Sequence, residues 1–298
     1  MDERRGLETY RTCHTNLKVV HAPEQVLKET FGYDSFRPDQ EPIVDAVLTG
    51  RDVLAVMPTG AGKSICYQVP ALCTDGLTLV ISPLISLMKD QVESLRLNGV
   101  AAACLNSSLP AAERTRVLDE TKAGLVTLLY VAPERLSSSE IADFCSLRPP
   151  SIVAIDEAHC ASQWGHDFRP DYLEISSFVQ GLSVRPVLCA FTATATKAVR
   201  DDIQRILGLD DPLVVVANFD RPNLHFSVER VHAGKDKDRA LHRVMEAHQG
   251  QCGIVYCMTR KNVEAVCGEL CAWGFSATRY HGGLSDAERR ANQEDFVY

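Results

Sequence analysis

No run in this 298-residue chain reaches the ~18 consecutive apolar residues of a membrane-spanning helix, so no such helix is expected within it. The first 22 residues lack the continuous apolar core of a signal peptide and read as a leader without fixed structure. There is no C-x-x-C pair among the 11 cysteines, so the spacing of a zinc site is missing. Cys267 and Cys271 are four apart on a predicted helix, but no His or Cys cluster accompanies them. Cys66, Cys104, Cys189, Cys252 and Cys257 lie in apolar stretches, where a reduced thiol packs as a small hydrophobe. These features together point to a cytoplasmic chain. Positive charge is also short: 31 Lys and Arg against 39 Asp and Glu leave a net charge of −8. That balance argues against a protein that coats nucleic acid by charge alone. Residues 218–298 carry 11 basic and 11 acidic side chains, so the excess lies in residues 1–217. Any nucleic-acid contact would need a local basic and aromatic surface. No internal repeat or low-complexity tract is present.

What is present, from residue 52 onward, is an alternation of short apolar runs and amphipathic stretches. The runs DVLAVM (52–57), LTLVIS (77–82), VAAACL (100–105), VTLLYV (126–131), IVAID (152–156), VLCAFT (187–192) and LVVVA (213–217) predict strands. Runs this apolar suit a parallel sheet covered on both faces, the doubly wound α/β class. Helices are expected between them, for example Ala111–Lys122 and Lys197–Leu207, the latter stopped by Gly208. The turn-rich segment Asn218–Asn223 reads as a linker. A second series follows: strand 252–257, helix 261–273, strand 276–280 and helix 285–296. The expected division is therefore 1–22, 23–217 and 218–298, with the last part an incomplete domain.

Between the first strand and the next helix stands MPTGAGKS, Met57–Ser64. Thr59, Gly60 and Gly62 form a tight loop whose N–H groups can face phosphate oxygens at a helix N-terminus. Lys63 would reach the β- and γ-phosphates, and Ser64 would hold Mg²⁺. Met57 departs from the glycine that opens the general pattern. DEAH, Asp156–His159, ends the strand IVAID. Asp156 suits Mg²⁺ orientation, and Glu157 suits orienting or deprotonating an attacking water. Upstream, FGYDSFRPDQ (31–40) supplies a ring, a guanidinium and an amide that could clamp a purine. Alone, Phe31 and Phe36 fit equally as anchors to a core.

Together these motifs resemble the RecQ family of superfamily 2 helicases, from about residue 23 to the end. The resemblance implies RecA-like lobes, ATP and Mg²⁺ as cofactors, and single-stranded and forked DNA as partners. It assigns adenine binding to Tyr33, Arg37 and Gln40. It also implies strand tracking by SPLISLMKDQ (82–91) and YVAPERL (130–136), and coupling of hydrolysis to lobe movement by FTATAT (191–196). SQWGHDFRPDY, Ser162–Tyr172, resembles the family's aromatic-rich loop, which senses single-stranded DNA through Trp164, His166, Phe168 and Arg169. By spacing alone, Trp164 and Phe168 fit a core just as simply. GIVYCMTRKNVE (253–264) and YHGGL (280–284) match later motifs; by itself His281 fits an ordinary surface or capping histidine.

The family's VVATxAFGMGI strand, its arginine-bearing motif, its zinc module and its winged helix have no counterpart here. The expectation is a 3′ to 5′ DNA helicase of DNA repair and recombination whose present chain does not unwind alone. Two alternatives stand beside it: an ATP- and DNA-binding remnant without turnover, and an RNA-remodelling ATPase of the DEAD-box type.

Overall fold

A computed structural model describes residues 17–106, 109–165, 167–220, 224–232 and 234–297. The chain divides into two compact units, residues 1–221 and 222–298. In the first, all seven expected strands form: β1 Val53–Val56, β2 Leu77–Ile81, β3 Ala102–Leu105, β4 Leu128–Val131, β5 Pro150–Ile155, β6 Val187–Thr192 and β7 Leu213–Val216. They make one sheet in the order β3-β4-β2-β5-β6-β1-β7, every pairing parallel.

Alternate strand residues feed two separate cores, which is why the runs read as continuously apolar. Leu54, Val153, Ile155, Leu188 and Ala190 pack on one face with α5 (Ala111–Lys122), α6 (Ser139–Leu147), α7 (Glu174–Gln180) and α8 (Lys197–Leu207). Val53, Ala55, Ile152, Ala154, Cys189 and Phe191 pack on the other with α2 (Glu41–Leu48), α3 (Ile65–Cys73) and α4 (Ile85–Leu97). Helix α1 (Pro23–Phe31) caps this second layer through Val26 and Leu27. Helix α8 starts at Thr196, whose hydroxyl accepts the Val199 N–H, and stops at Gly208 with φ 67°.

The structure departs from the sequence reading in several places. Of the leader expected over 1–22, residues 1–16 lie outside the described residues, whereas Val19 bridges Thr74 and packs beside α1. Strand β7 is an edge strand, and its outward Val214 and Val216 are exposed rather than covered. At the amino end of β1, Asp52 is buried, paired with Arg185 and bonded to the Leu188 and Asp210 amides. That carboxylate ties β1 to β6 and to the turn before β7.

The second unit holds α9 (Lys235–Ala247), α10 (Arg260–Ala272) and α11 (Asp286–Val297). The expected strands 252–257 and 276–280 do not form among its described residues. An apolar run becomes a strand only when a neighbour takes up its N–H and C=O groups, and neither run has such a ladder. Cys252 is exposed and Cys257 half-buried, against the expectation that both pack as core thiols; Cys104 is half-buried too, while Cys66 and Cys189 are buried. The Cys267 and Cys271 thiols both approach the Ala277 carbonyl, at 3.7 and 3.6 Å.

Amides without a ladder open at almost no cost, whereas core strands open near the global stability. Residues 252–258 are therefore expected to exchange at least about 10³-fold faster than β1, β5 and β6. Equal protection in a hydrogen-exchange experiment would show that the second unit is closed in a way its bonding does not reveal.

Candidate active site

The phosphate loop leaves β1 at Met57, which is buried and donates its N–H to the Thr192 carbonyl of β6 at 3.0 Å. Gly60 and Gly62 both have φ near 81°, a backbone region that favours glycine. Gly62 is doubly constrained, because a Cβ there would stand 2.4 Å from Gln40 Nε2. Gln40 is buried and spends its amide on the loop, donating to the Ala61 and Gly62 carbonyls at 3.2 and 3.1 Å. Its Oε1 accepts the Arg37 N–H, and the Arg37 guanidinium donates to the Gly60 carbonyl at 2.6 Å. In this structure Arg37 and Gln40 brace the phosphate loop. Tyr33 projects its ring outward, 55% exposed. Thr59 is exposed, Lys63 Nζ donates to the Met57 carbonyl at 3.2 Å, and Ser64 leads into α3 without a capping bond from its hydroxyl.

Two strands away, β5 delivers Asp156 to the same carboxyl edge, its N–H bonded to the Ile81 carbonyl. Burial pushes the Asp156 carboxyl up to about 6, with Glu157's charge adding to the rise. The Glu157 N–H and the charges of Lys63 and His159 pull the other way. Glu157 sits in the left-handed region at φ 48° and ψ 44°. A non-glycine residue there costs about 1–3 kcal/mol and persists where surrounding structure enforces it. Tyr172, fully buried, supplies part of that enforcement by donating its hydroxyl to the Asp156 carbonyl at 2.8 Å. Glu157 Oε2 lies 3.2 Å from His159 Nδ1, which also meets Thr192 Oγ1 at 2.9 Å. Thr192 then donates to the Thr194 carbonyl and accepts its N–H. DEAH and FTATAT are thus joined by hydrogen bonds.

The loop after DEAH carries Trp164 out into solvent, 80% exposed, which removes the core reading for that ring. Phe168 and Arg169 are half-buried, and His166 lies outside the described residues. Arg169 pairs with Asp167, donates to the Pro83 carbonyl at 3.2 Å, and bonds the Cys160 carbonyl through its own N–H. A cavity of about 260 Å³ lies between these parts, lined by Leu84, Glu157, His159, Asp167 and Thr194 among others.

The donor set fits a magnesium nucleotide. Ser64 and Asp156 offer hard oxygen ligands of the kind Mg²⁺ takes. Among the described residues, the N–H groups of Gly60, Gly62, Lys63 and Ser64 donate to no backbone carbonyl, which leaves them for phosphate oxygens. An Asp raised by burial is also one that a bound cation would return to the ionised form.

A family model described as DEAD/DEAH box helicase matches residues 37–202. The chain belongs to the DEAD/DEAH box helicase family. Within that family its similarity is to RecQ-type members. It is 44% identical over 281 residues to the ATP-dependent DNA helicase RecQ of Haemophilus influenzae, covering 94% of this chain and 45% of that protein. It is 46% identical over 282 residues to the RecQ of Pasteurella multocida, covering 95% and 43%. The chain thus spans a little under half the length of these relatives. Among solved structures, it matches Mycobacterium smegmatis helicase Lhr bound to single-stranded DNA and AMP-PNP (TM-score 0.66, 18% identity, 92% of this chain and 40% of that one). It also matches helicase MrfA bound to DNA and AMPPNP (TM-score 0.71, 17% identity, 95% and 43%). At such identities the likeness is one of fold, and the fold of this member of the DEAD/DEAH box family is RecA-like. No helix among its described residues is long and apolar enough to cross a membrane.

Sequence reasoning named neither Thr192 nor Tyr172 as part of the site. Thr192 lay within FTATAT, so its signal was present in the motif. Tyr172 closes SQWGHDFRPDY, but that motif gave no sign of its bond to Asp156, which depends on the turn between them.

Raising a carboxyl from 3.8 to about 6 means the native state holds that proton more tightly than the unfolded chain. Stability therefore falls as pH rises through that window. Asp156→Asn removes the titration and is expected to melt roughly 5 °C higher than the parent at about pH 7.5, with the gain vanishing below about pH 4. A gain independent of pH in calorimetry would place the burial cost elsewhere.

Proposed function

We propose that this chain is the ATP-hydrolysing portion of a RecQ-type DNA helicase. It would move 3′ to 5′ on single-stranded DNA, act on forked DNA during repair and recombination, and work in the bacterial cytoplasm at the nucleoid. The relatives named as DNA helicases support the class. The observation that carries the coupling is that His159 Nδ1 lies against Glu157 and is hydrogen-bonded to Thr192, beside a cavity that Asp167 of the aromatic loop helps to line.

In this reading Gly60, Gly62, Lys63 and Ser64 cradle the triphosphate, with Ser64 and Asp156 holding Mg²⁺. Mg²⁺ supplies charge neutralisation at the phosphates when bound. Glu157 orients the attacking water and accepts its proton. Tyr33 and Arg37 contact the base, while Gln40 reports on the loop it braces. Residues 23–217 form the ATP-binding lobe, and 218–298 contribute to a second RecA-like lobe. Trp164 stacks on DNA bases, with His166, Phe168 and Arg169 completing the contact. Stacking on an exposed ring is worth about 1–3 kcal/mol per base and tolerates any sequence.

Glu157→Gln is expected to slow ATP turnover about 10²–10⁴-fold while nucleotide affinity changes little. An affinity loss as large as the rate loss would make Glu157 a binding or structural residue. Trp164→Ala is expected to bring the ratio of DNA-stimulated to unstimulated turnover toward one. Its melting point should shift by no more than about 2 °C, because the ring is exposed. A retained ratio, or stimulation by RNA but not DNA, would overturn the DNA-sensing role.

A further inference from the structure

Ser162 follows the short turn Ala158–Ala161 and is completely buried. Its hydroxyl donates to Asp202 Oδ2 at 2.7 Å and accepts the Trp164 N–H at 3.2 Å. A serine hydroxyl has one hydrogen to give, and here it goes to a carboxylate, leaving a lone pair aimed at the loop. Asp202 is on α8, its side chain only 13% exposed, with its other oxygen paired to Arg205. The Ser162 bond holds the Asp202 carboxyl below its ordinary value.

These bonds close a ring. At one end, the turn carrying His159 meets Thr192 at the end of β6. At the other, it meets α8 through Ser162 and Asp202. Thr192 and α8 belong to one continuous stretch, since α8 is capped by Thr196 of the same FTATAT segment. The aromatic loop leaves the ring at Ser162 and is folded tightly against it. Gly165 donates its N–H to the Ser162 carbonyl, and a Cβ at Gly165 would stand 2.4 Å from the His159 carbonyl. A shift of α8 relative to the turn cannot occur without moving or breaking the Ser162 bond.

We propose that Asp202 is a positioning residue for the aromatic loop, holding Ser162 and through it the Trp164 amide, so that α8 and Trp164 move as one. This rests on the reading of Trp164 as a DNA-sensing residue. Asp202 touches neither nucleotide nor DNA in this scheme.

The complete protein with Asp202→Ala, and with Asp202→Asn as the variant that keeps an oxygen acceptor, tests the inference. Two quantities are read: amide exchange at Trp164, and the ratio of turnover with and without oligothymidylate. In Asp202→Ala the Trp164 amide should exchange, and the stimulation ratio should fall, by about tenfold, the scale of a lost bond to a charged group. Unstimulated turnover should persist, and Asp202→Asn should recover most of both quantities. Unchanged exchange and an unchanged ratio in Asp202→Ala would overturn the positioning role. Loss of unstimulated turnover in step with the ratio, without recovery by Asn, would make Asp202 merely structural. Absence of stimulation in the unsubstituted protein would instead overturn the DNA-coupled reading, and the coupling role with it.

Discussion

A parallel sheet gathers the carboxyl ends of its strands along one edge, and here β6 runs between β1 and β5. That single placement decides what the edge can do. The phosphate loop grows from β1, DEAH grows from β5, and Thr192 ends the strand between them. Because β6 touches both neighbours, the Thr192 carbonyl takes the Met57 N–H while the Thr192 hydroxyl meets His159. One residue is thus bonded to both motifs. At the opposite edge, Asp52 and Arg185 fix the same strands, so the spacing of the loops above has little freedom to drift.

The site is assembled from groups that would be unfavourable elsewhere. Asp156 is raised by burial, and Glu157 occupies a backbone region that disfavours its side chain. Neither feature stabilises the fold. Both are enforced by neighbours: Tyr172 from below, the β2 carbonyl of Ile81 alongside, and His159 from the next turn. A carboxylate held against its preference in a rigid frame is poised for a cation, since binding relieves the cost that folding imposed.

The first unit was legible because burial on two faces writes itself into composition. Leu54 serves one core while Val53 and Ala55 serve the other, so no polar residue interrupts the run. The same signal misleads in the second unit. GIVYC is as apolar as VLAV, but Ile254 and Tyr256 stand exposed because strand formation depends on a partner that an apolar run does not specify. Gln40 shows another limit. Its residue type announced a hydrogen-bonding role, yet only the structure shows that both carbonyl acceptors lie in the phosphate loop.

Trp164 is where local pattern and tertiary structure part most clearly. A tryptophan and a phenylalanine four residues apart fit a core as simply as a binding surface. What decides between them is backbone geometry set far away in sequence. Ser162 is pinned to Asp202, 40 residues downstream, and Gly165 permits the chain to turn back onto the His159 carbonyl. Between those two points the Trp164 ring faces solvent, while Tyr172, beyond the bond from the Arg169 N–H to the Cys160 carbonyl, falls into the core. The loop's exposure is therefore a property of its anchors rather than of its aromatic residues. The same anchors are the ones that connect it to DEAH and to α8.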